Sequence, residues 1–340
     1  MMEPTLAVNG LTTQISTSRG LLRAVDDVSY EVRPGETLGV VGESGSGKSM
    51  TVLSLLGLLP RGAKVTAGQA FLQGRDLLKM SKKELRLVRG QQASMVFQDP
   101  MTSLNPVLTV GYQLAEALRA HGRVRQRSQV RDRVVELLEQ VGIPDPKDRV
   151  DAFPHEFSGG MRQRVVIAMA MANRPDLIIA DEPTTALDVT IQAQVLDLLK
   201  EARSTTGAAT ILITHDLGLL AEMADRVVVM YAGRVVEAAE VDTIFTAPRH
   251  PYTIGLMASR PRVTSAQRMV PISGQPPDPL DLPEGCAFHP RCSLEQGRSL
   301  CRQQVPALLR AGAAHVSACH FHEELSPARS GSTSPSDGGP

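Results

Sequence analysis

The sequence predicts an α/β fold built on a mostly parallel sheet, because strand-like and helix-like segments alternate through its second half. Runs rich in β-branched and apolar residues at 177–180, 210–213 and 226–230 are typical of buried strands. An amphipathic helix is expected over residues 191–202, between the first two of these strands. A strand, a helix and a strand in this order favour parallel pairing, with helices covering the sheet.

The first half of the sequence predicts three further elements. Residues 1–41 are expected to form short strands. Ser81 and Glu84 form a capping box that should start a short helix, which Gly90 then ends. Apolar positions at helical spacing predict a helical block over residues 111–141, which interrupts the strand-rich sequence.

Composition and charge exclude several classes of protein. The chain has 340 residues, of which 42% are hydrophobic and 21% charged, values typical of a folded globular protein. Its 36 basic and 36 acidic residues leave no basic excess, so nucleic acid is a poor expectation. The longest apolar run, residues 165–172, is far shorter than the roughly 20 residues of a membrane-spanning helix. No signal peptide is visible either, so we expect the chain to stay in the cytoplasm.

The strongest motif is a glycine-rich loop at residues 42–49, which fits G-x-x-x-x-G-K-[ST]. It follows a strand candidate at 37–41 and precedes a helical run at 50–59, a context that disfavours a simple Gly/Ser-rich turn. Backbone N–H groups of such a loop surround phosphate oxygens, Lys48 reaches the β and γ phosphates, and Ser49 supplies an oxygen to Mg²⁺. The expected nucleotide contacts are Gly42, Ser44, Gly45, Ser46, Gly47, Lys48, Ser49 and Met50.

Two acidic residues follow the apolar run at 177–180. Asp181 stands where a carboxylate can hold Mg²⁺ at the carboxyl edge of a parallel sheet. Glu182 is then placed to orient and deprotonate an attacking water as a general base. Alone, Asp-Glu before a proline is more often a solvated turn, but its pairing with the phosphate loop favours the catalytic interpretation.

A second segment is suited to bind an anion. Ser158, Gly159 and Gly160 lie just before the helical run at 165–172 and would form another N-terminal cradle. A protein with two phosphate cradles is suited to hold one ATP between two chains.

With these motifs in this order, the sequence resembles the ABC ATPases, whose signature reads Leu-Ser-Gly-Gly-Gln, over roughly residues 6 to 250. The match extends to Gln98, to the segment 186–188 and to His215. The resemblance implies a P-loop NTPase (RecA-like) core with a β-rich N-terminal subdomain and an inserted helical subdomain at about residues 100–172. It also implies that the signature of one subunit completes the ATP site of the other.

The same resemblance assigns roles to single residues. Gln98 is similar to the residue that senses Mg²⁺ and the γ phosphate and touches the membrane subunit. His215 matches the switch histidine that holds the γ phosphate and the attacking water, whereas a lone histidine there would be an ordinary strand-end residue. Asp188 resembles the acidic residue that crosses the dimer interface, and it can also cap the helix that follows. The implied catalytic set is therefore Glu182, His215 and Gln98.

The resemblance narrows to the oligopeptide/dipeptide/nickel branch of ABC importers through segments 98–106 and 249–253 and the cysteine-containing C-terminal extension. Met161 in place of the signature glutamine is similar to the D-type of that branch's two ATPase subunits. This implies an ATPase, peripheral on the cytoplasmic face of the cell membrane, that energises uptake of di- or oligopeptides. Its implied partners are a paralogous F-type ATPase subunit, two membrane permease subunits and an extracytoplasmic peptide-binding protein.

Two alternatives to peptide uptake stay open on the sequence. One is an importer ATPase of the same family for nickel or another small solute, because the sequence holds no cargo pocket. The other is a soluble ABC ATPase acting on DNA, against which the zero net charge and the absence of C-x-x-C pairs argue.

The adenine contact departs from the family pattern. Many relatives carry an aromatic residue that stacks on adenine in the segment before Val25, and this chain has none there. Ile15 or the stem of Arg23 is expected to pack against the base instead.

The last quarter of the sequence contains all of its cysteines: Cys286, Cys292, Cys301 and Cys319. In a reducing compartment such a group favours metal binding over disulfides, and four thiolates can bind Zn²⁺ or a [4Fe–4S] cluster. The intervals of 6, 9 and 18 residues do not fit zinc pairs, and similar extensions in peptide importers carry a cluster, so a cluster is expected. Four unligated thiols are the alternative. Four histidines are available as substitute ligands: His289, His315, His320 and His322.

These expectations divide the chain into three parts. They are an ATPase domain at residues 1–260, a C-terminal extension with the four-cysteine site at 261–325, and a tail at 326–340. The tail consists largely of Ser, Gly and Pro and is expected to be disordered.

Overall fold

An eight-stranded sheet forms the centre of the protein. The computed structural model describes residues 3–97, 103–121, 127–185, 188–259 and 271–325. Across the sheet the strands run in the order β11 (Leu309–Gly312), β12 (His315–Ser317), β10 (Arg234–Glu240), β9 (Arg226–Tyr231), β3 (Thr37–Val41), β8 (Ala209–Ile213), β7 (Leu177–Asp181) and β6 (Ala93–Val96). The strands from β9 to β6 pair in parallel, so the predicted α/β fold with a parallel sheet is confirmed.

A second, antiparallel sheet is built from the N-terminal part of the chain. Its strands lie in the order β2 (Gly20–Val32), β1 (Leu6–Thr17), β4 (Ala63–Leu72) and β5 (Arg75–Asp76). Its buried residues, such as Leu6 and Val28, share one apolar cluster with Val40 of β3. The two sheets therefore pack on a common core beside the phosphate loop.

The helices lie on both sheets: the first contacts the antiparallel sheet, and several others contact the main sheet. They are α1 (Lys48–Leu55), α2 (Lys82–Val88), α3 (Val110–Ala120), α4 (Arg127–Gln140), α5 (Pro146–Arg149), α6 (Gly159–Met171), α7 (Val189–Thr206), α8 (Leu217–Met223), α9 (Val241–Thr246), α10 (Pro251–Ala258) and α11 (Ser299–Gln303). Within the described ranges, none of them is both long enough and apolar enough to span a membrane.

Local signals explain several helix ends, and several bounds differ from the sequence-based expectation, such as those of α7, which spans Val189–Thr206 rather than 191–202. The predicted capping box of Ser81 and Glu84 is present at the start of α2. The first helix ends at Leu55 rather than at residue 59, because the chain turns through Gly57 with a φ of 59°. The helix predicted over 165–172 begins earlier, at Gly159, because the Ser158 side chain caps it by accepting the Met161 N–H at 3.2 Å.

The C-terminal region, here residues 271–325, is joined to the main sheet. Strand β12 pairs antiparallel with β10, with Ser317 opposite Glu237, and β11 adds the outermost strand. The predicted domain boundary at residues 260 and 261 and the tail at 326–340 lie outside the described residues, as do Gln98, Ala186 and Leu187. The division into domains stays a prediction.

Candidate functional site

The phosphate loop connects the end of β3 to the start of α1, at the carboxyl edge of the parallel strands. Gly47 adopts a φ of 99°, and a Cβ there would lie 2.5 Å from the Ala24 carbonyl oxygen. A Cβ on Gly42 would lie 2.2 Å from the Met230 carbonyl oxygen. Glycine is thus required at both positions by backbone that packs against the loop. The free N–H groups at the start of α1 make this end favourable for an anion.

Lys48 is the first residue of α1, and its side chain turns back into the loop. Its Nζ donates to the carbonyl oxygens of Gly42 at 2.8 Å and Glu43 at 3.0 Å. Burial lowers its pKa, and the carboxylates of Glu182, Asp181 and Glu43 act in the opposite direction. Three nearby carboxylates therefore favour the cationic form that a phosphate ligand needs.

Ser49 and Asp181 meet across the site, as the sequence predicts for two Mg²⁺ ligands. The Ser49 hydroxyl donates to Asp181 Oδ1 at 3.0 Å. Burial raises the pKa of Asp181, and the Ser49 hydrogen bond opposes this shift. Hydroxyl and carboxylate oxygens are the donor set that Mg²⁺ prefers. The buried Ser46 hydroxyl has no hydrogen-bond partner among the described residues, which suits a loop that closes on a polar ligand.

Glu182 and His215 come together at the ends of neighbouring strands. The Glu182 N–H donates to the Ile213 carbonyl at 2.8 Å, and its Oε2 accepts from Thr185 Oγ1 at 3.0 Å. His215 Nδ1 lies 3.4 Å from the same Oε2, and the histidine side chain is largely exposed. The geometry suits a base and a polar group that share one water or phosphate oxygen.

The loop opens into a cavity of about 530 Å³ that Glu182 also lines. The residues that line this cavity outside the phosphate loop are mostly apolar. They include Ile15, Leu22, Arg23, Ala24, Pro276, Pro277, Pro279 and Leu282. Sequence reasoning placed Ile15 and Arg23 here but missed the prolines, because a rise in proline content does not indicate a position in space.

The second cradle lies elsewhere on the surface. Ser158 and Gly159 are exposed at the start of α6, whereas Gly160 is packed so closely that an added Cβ would lie 2.6 Å from Ile191 Cγ2. None of these three residues is among the described residues that line the cavity. Asp188 is also exposed and caps α7 by accepting the Ile191 N–H at 3.0 Å. One chain therefore does not bring its two cradles to the same cavity.

Glu43 of the phosphate loop is held by the C-terminal part of the chain, a feature that sequence reasoning missed. Its N–H donates to the Tyr252 hydroxyl at 2.8 Å. Its carboxylate accepts from Arg291 Nη1 at 2.7 Å and Nη2 at 3.0 Å. The only sequence signal was the motif at 249–253, which contains Tyr252 but does not identify its partner.

The four cysteines are free thiols, of which Cys301 is buried and the others are half-buried. Burial raises the pKa of Cys286 to about 11 and that of Cys319 to about 12, and neighbouring thiols add to both shifts. Burial likewise raises the pKa of Cys292 and Cys301. The Cys286 N–H donates to the Cys301 carbonyl at 2.9 Å. In the described part of the chain, no group of three or more His, Cys, Asp or Glu residues is arranged to hold a metal ion.

Comparison with solved structures connects this geometry to known nucleotide-binding proteins. The dimeric structure of the ATP-binding cassette MJ0796, in a post-hydrolysis state bound to ADP and Pi, is similar with a TM-score of 0.63 and 26% identity. The match covers 69% of this chain and 98% of that one. A second dimeric structure of MJ0796, described as a bacterial ABC transporter cassette, gives a TM-score of 0.62 at 27% identity, over 69% of this chain and 98% of that one.

Sequence comparison adds the transporter branch. Residues 25–185 match the ABC transporter family, and residues 236–301 match the C-terminal region of oligopeptide/dipeptide transporters. The dipeptide transport ATP-binding protein DppD of Bacillus subtilis is 52% identical, over 86% of this chain and 87% of the relative. DppD of Escherichia coli is 48% identical, over 93% of this chain and 96% of the relative.

A longer relative matches almost the whole chain. The oligopeptide transport ATP-binding protein OppD of Mycobacterium tuberculosis is 51% identical over 97% of this chain. The chain spans only 53%, about half, of that relative's length. ATP binding with Mg²⁺ is general among ABC ATPases, and the loop, Ser49 and Asp181 fit it. The chain therefore belongs to the family of ATP-binding proteins of oligopeptide and dipeptide ABC transporters.

Proposed function

We propose that the chain binds and hydrolyses MgATP and thereby energises uptake of di- or oligopeptides across a membrane. The observation that carries this proposal is that one edge of the sheet combines a phosphate loop, the Ser49–Asp181 pair and the Glu182–His215 pair. A nucleotide-binding protein without hydrolysis would need only the loop. The transport part rests on the relatives, which are named for dipeptide and oligopeptide transport.

The residues of the site divide the work of phosphoryl transfer to water. The loop N–H groups and Lys48 hold the β and γ phosphates. Ser49 and Asp181, with Gln98, would hold Mg²⁺, which when bound neutralises phosphate charge. Glu182 orients the attacking water and accepts its proton at Oε2 as the new P–O bond forms and ADP leaves. His215, next to that oxygen, would contact the γ phosphate and the same water.

The site is completed by a second subunit. Ser158 and Gly159 are exposed at the start of α6, Gly160 beside them is buried, and none of the three is among the described residues that line their own chain's cavity. We infer that they and Asp188 serve the nucleotide of a partner, and that this partner is an F-type paralogue. The similar MJ0796 cassette is described as dimeric, which supports dimerisation but not the choice of partner.

The assembly would include two membrane permease subunits and an extracytoplasmic peptide-binding protein. The ATPase subunits would then lie peripherally on the cytoplasmic face of the membrane. Identifying the membrane and solute-binding subunits that copurify with the chain tests this assembly and the class of cargo together.

The adenine base would lie in the apolar part of the cavity. Ile15 and Leu22 of β1 and β2 and Pro276 and Pro277 of the C-terminal region line the same cavity and would contact the base. These side chains offer apolar surface to a flat base without an aromatic ring. Pro277 comes directly before Asp278, which pairs with Arg19 of the β1–β2 turn, so an ion pair also connects the two segments.

We also propose a [4Fe–4S] cluster on the four cysteines, with Zn²⁺ as the alternative. Thiolate chemistry suits either metal centre, although the described cysteines are not arranged as a group that holds a metal ion. Because the thiol pKa values are raised, binding of the metal centre must displace protons from the thiols at neutral pH. Protein purified without oxygen should be brown and contain stoichiometric iron and acid-labile sulfide. Colourless protein with one zinc per chain would contradict the cluster and retain the four-cysteine site.

Glu182→Gln tests the proposed hydrolysis. The variant should bind MgATP but hydrolyse it at least about 100-fold more slowly in the assembled transporter, the usual scale for losing a general base. Glu201→Gln, on the exposed surface of α7, is the matched control and should hydrolyse ATP normally. Near-normal turnover by Glu182→Gln would contradict the assignment. Failure of the unmodified complex to bind MgATP would contradict the proposal as a whole.

A further inference from the structure

Glu43 is a carboxylate inside a loop that must accept the phosphates of a nucleotide. All of its polar groups are engaged: the carbonyl accepts from Lys48, the N–H donates to Tyr252, and the carboxylate binds Arg291. Tyr252 and Arg291 are distant from the loop in sequence. The conformation of this loop residue is therefore set in part by the C-terminal part of the chain.

Arg291 is unusually well fixed for a long cationic side chain. Its side chain is 5% exposed, and its two terminal nitrogens both donate to the Glu43 carboxylate. Its Nε donates to the Ser273 carbonyl at 3.1 Å, and its guanidinium lies 5.8 Å from the ring centre of Tyr231. Such a two-pronged, stacked contact holds both position and direction. Lysine cannot reproduce this geometry.

The charge of Arg291 also matters to the site. Without a counter-ion, the Glu43 carboxylate would add a negative charge beside the place where the phosphates bind. Removal of one member of a shielded ion pair leaves the other charge uncompensated. The resulting repulsion grows with the number of phosphate charges on the ligand.

We propose that Arg291 is a positioning residue for the nucleotide site: it neutralises Glu43 and fixes the phosphate loop in the form that accepts the phosphates. This inference rests on the proposed nucleotide binding. It makes the C-terminal region part of the phosphate site as well as a wall of the base pocket. If Arg291 only fastened the C-terminal region to the core, its removal would lower stability and would weaken the binding of ATP, ADP and AMP equally.

Arg291→Met separates the two roles in the full-length chain. We expect its dissociation constant for MgATP to rise at least about tenfold, the scale of a hydrogen-bonded charge contact, with a smaller rise for ADP and little change for AMP. The loss should shrink at high salt. The matched control is Arg298→Met, because Arg298 also binds a carboxylate with two nitrogens, that of Glu324, and stacks on Phe321, away from the loop.

A second variant keeps the test decisive where Arg291→Met lowers stability. Removal of the repelling carboxylate in Glu43→Gln/Arg291→Met should restore much of the ATP affinity, although it restores no contact to the C-terminal region. Isothermal titration with ATP, ADP and AMP measures all of these constants. Equal losses for the three nucleotides, or no recovery in the double variant, would overturn the proposal. If the unmodified chain bound no MgATP, the proposed function would fail instead.

Discussion

His250 should make the native structure sensitive to mild acid. It is fully buried before α10, where its Nδ1 accepts the Tyr252 N–H at 3.1 Å and its ring also hydrogen-bonds the backbone of Ala318. A neutral imidazole has one acceptor and one donor, so it satisfies both partners only when uncharged. Protonation would add an N–H group at Nδ1 that faces the N–H of Tyr252, so this hydrogen bond would be lost. The hydroxyl of the same tyrosine accepts from the N–H of Glu43 in the phosphate loop.

The sign and size of the effect follow from the pKa. Burial lowers the pKa of His250 from 6.5 to about 4, although the nearby Glu237 favours the charged form. The unfolded chain therefore binds a proton between these values and the native chain does not. Stability from His250 is fully present above pH 6.5 and is lost as pH falls towards 4. The complete loss is about 3 kcal/mol, of which about 1 kcal/mol is reached at pH 5.5.

His250→Asn tests this account, because asparagine can still accept the N–H groups at the start of α10 but does not titrate. The free energy of unfolding, measured by urea denaturation, should fall by about 1 kcal/mol more in the unmodified protein than in the variant between pH 7.5 and 5.5. His155→Asn, on the exposed surface, should keep the full pH dependence. Parallel pH profiles for the unmodified protein and His250→Asn would refute the reasoning.

Three further predictions concern the phosphate loop and the cavity. Lys48→Ala should weaken MgATP binding at least about tenfold in isothermal titration, because a charged phosphate contact is lost, and unchanged affinity would contradict its position. Gly42→Ala should lower the free energy of unfolding by about 1–3 kcal/mol, because its Cβ would lie 2.2 Å from a backbone carbonyl oxygen; a variant as stable as the unmodified protein in urea would disprove that contact. Leu282→Asp should reduce the affinity for adenosine and ATP alike, since it places a carboxylate in the apolar wall. A loss confined to ATP would argue against a base pocket there.

Short-range patterns explain why much of this site could be predicted from the sequence. The phosphate loop, the strand before it and the helix after it are contiguous, and each has a local signal. Asp181 and Glu182 follow an apolar strand in the same way, so parallel pairing of β3, β8 and β7 brings them to the loop. The pattern required no knowledge of distant contacts.

The contacts of Glu43 show what local patterns cannot supply. Its partners Tyr252 and Arg291 are 209 and 248 residues away in the sequence. A lone arginine among prolines is ordinary surface composition until its partner is known. Similarly, the three-residue strand β12 is too short to carry a periodic signal, yet its pairing with Glu237 and Ala238 joins the C-terminal region to the main sheet.

The backbone of Glu182 connects strain to catalysis. Side chains alternate across a strand, so in a continued strand Asp181 and Glu182 would point to opposite faces. Glu182 instead adopts a φ of 48°, which costs a non-glycine residue about 1–2 kcal/mol. Glycine would avoid that strain but would supply no carboxylate. The turn lets both consecutive carboxylates act on Lys48, and the bonds to Ile213 and Thr185 hold it in place. Several contacts therefore keep Glu182 in a strained conformation. This conformation allows two consecutive acids at the end of one strand to face one nucleotide.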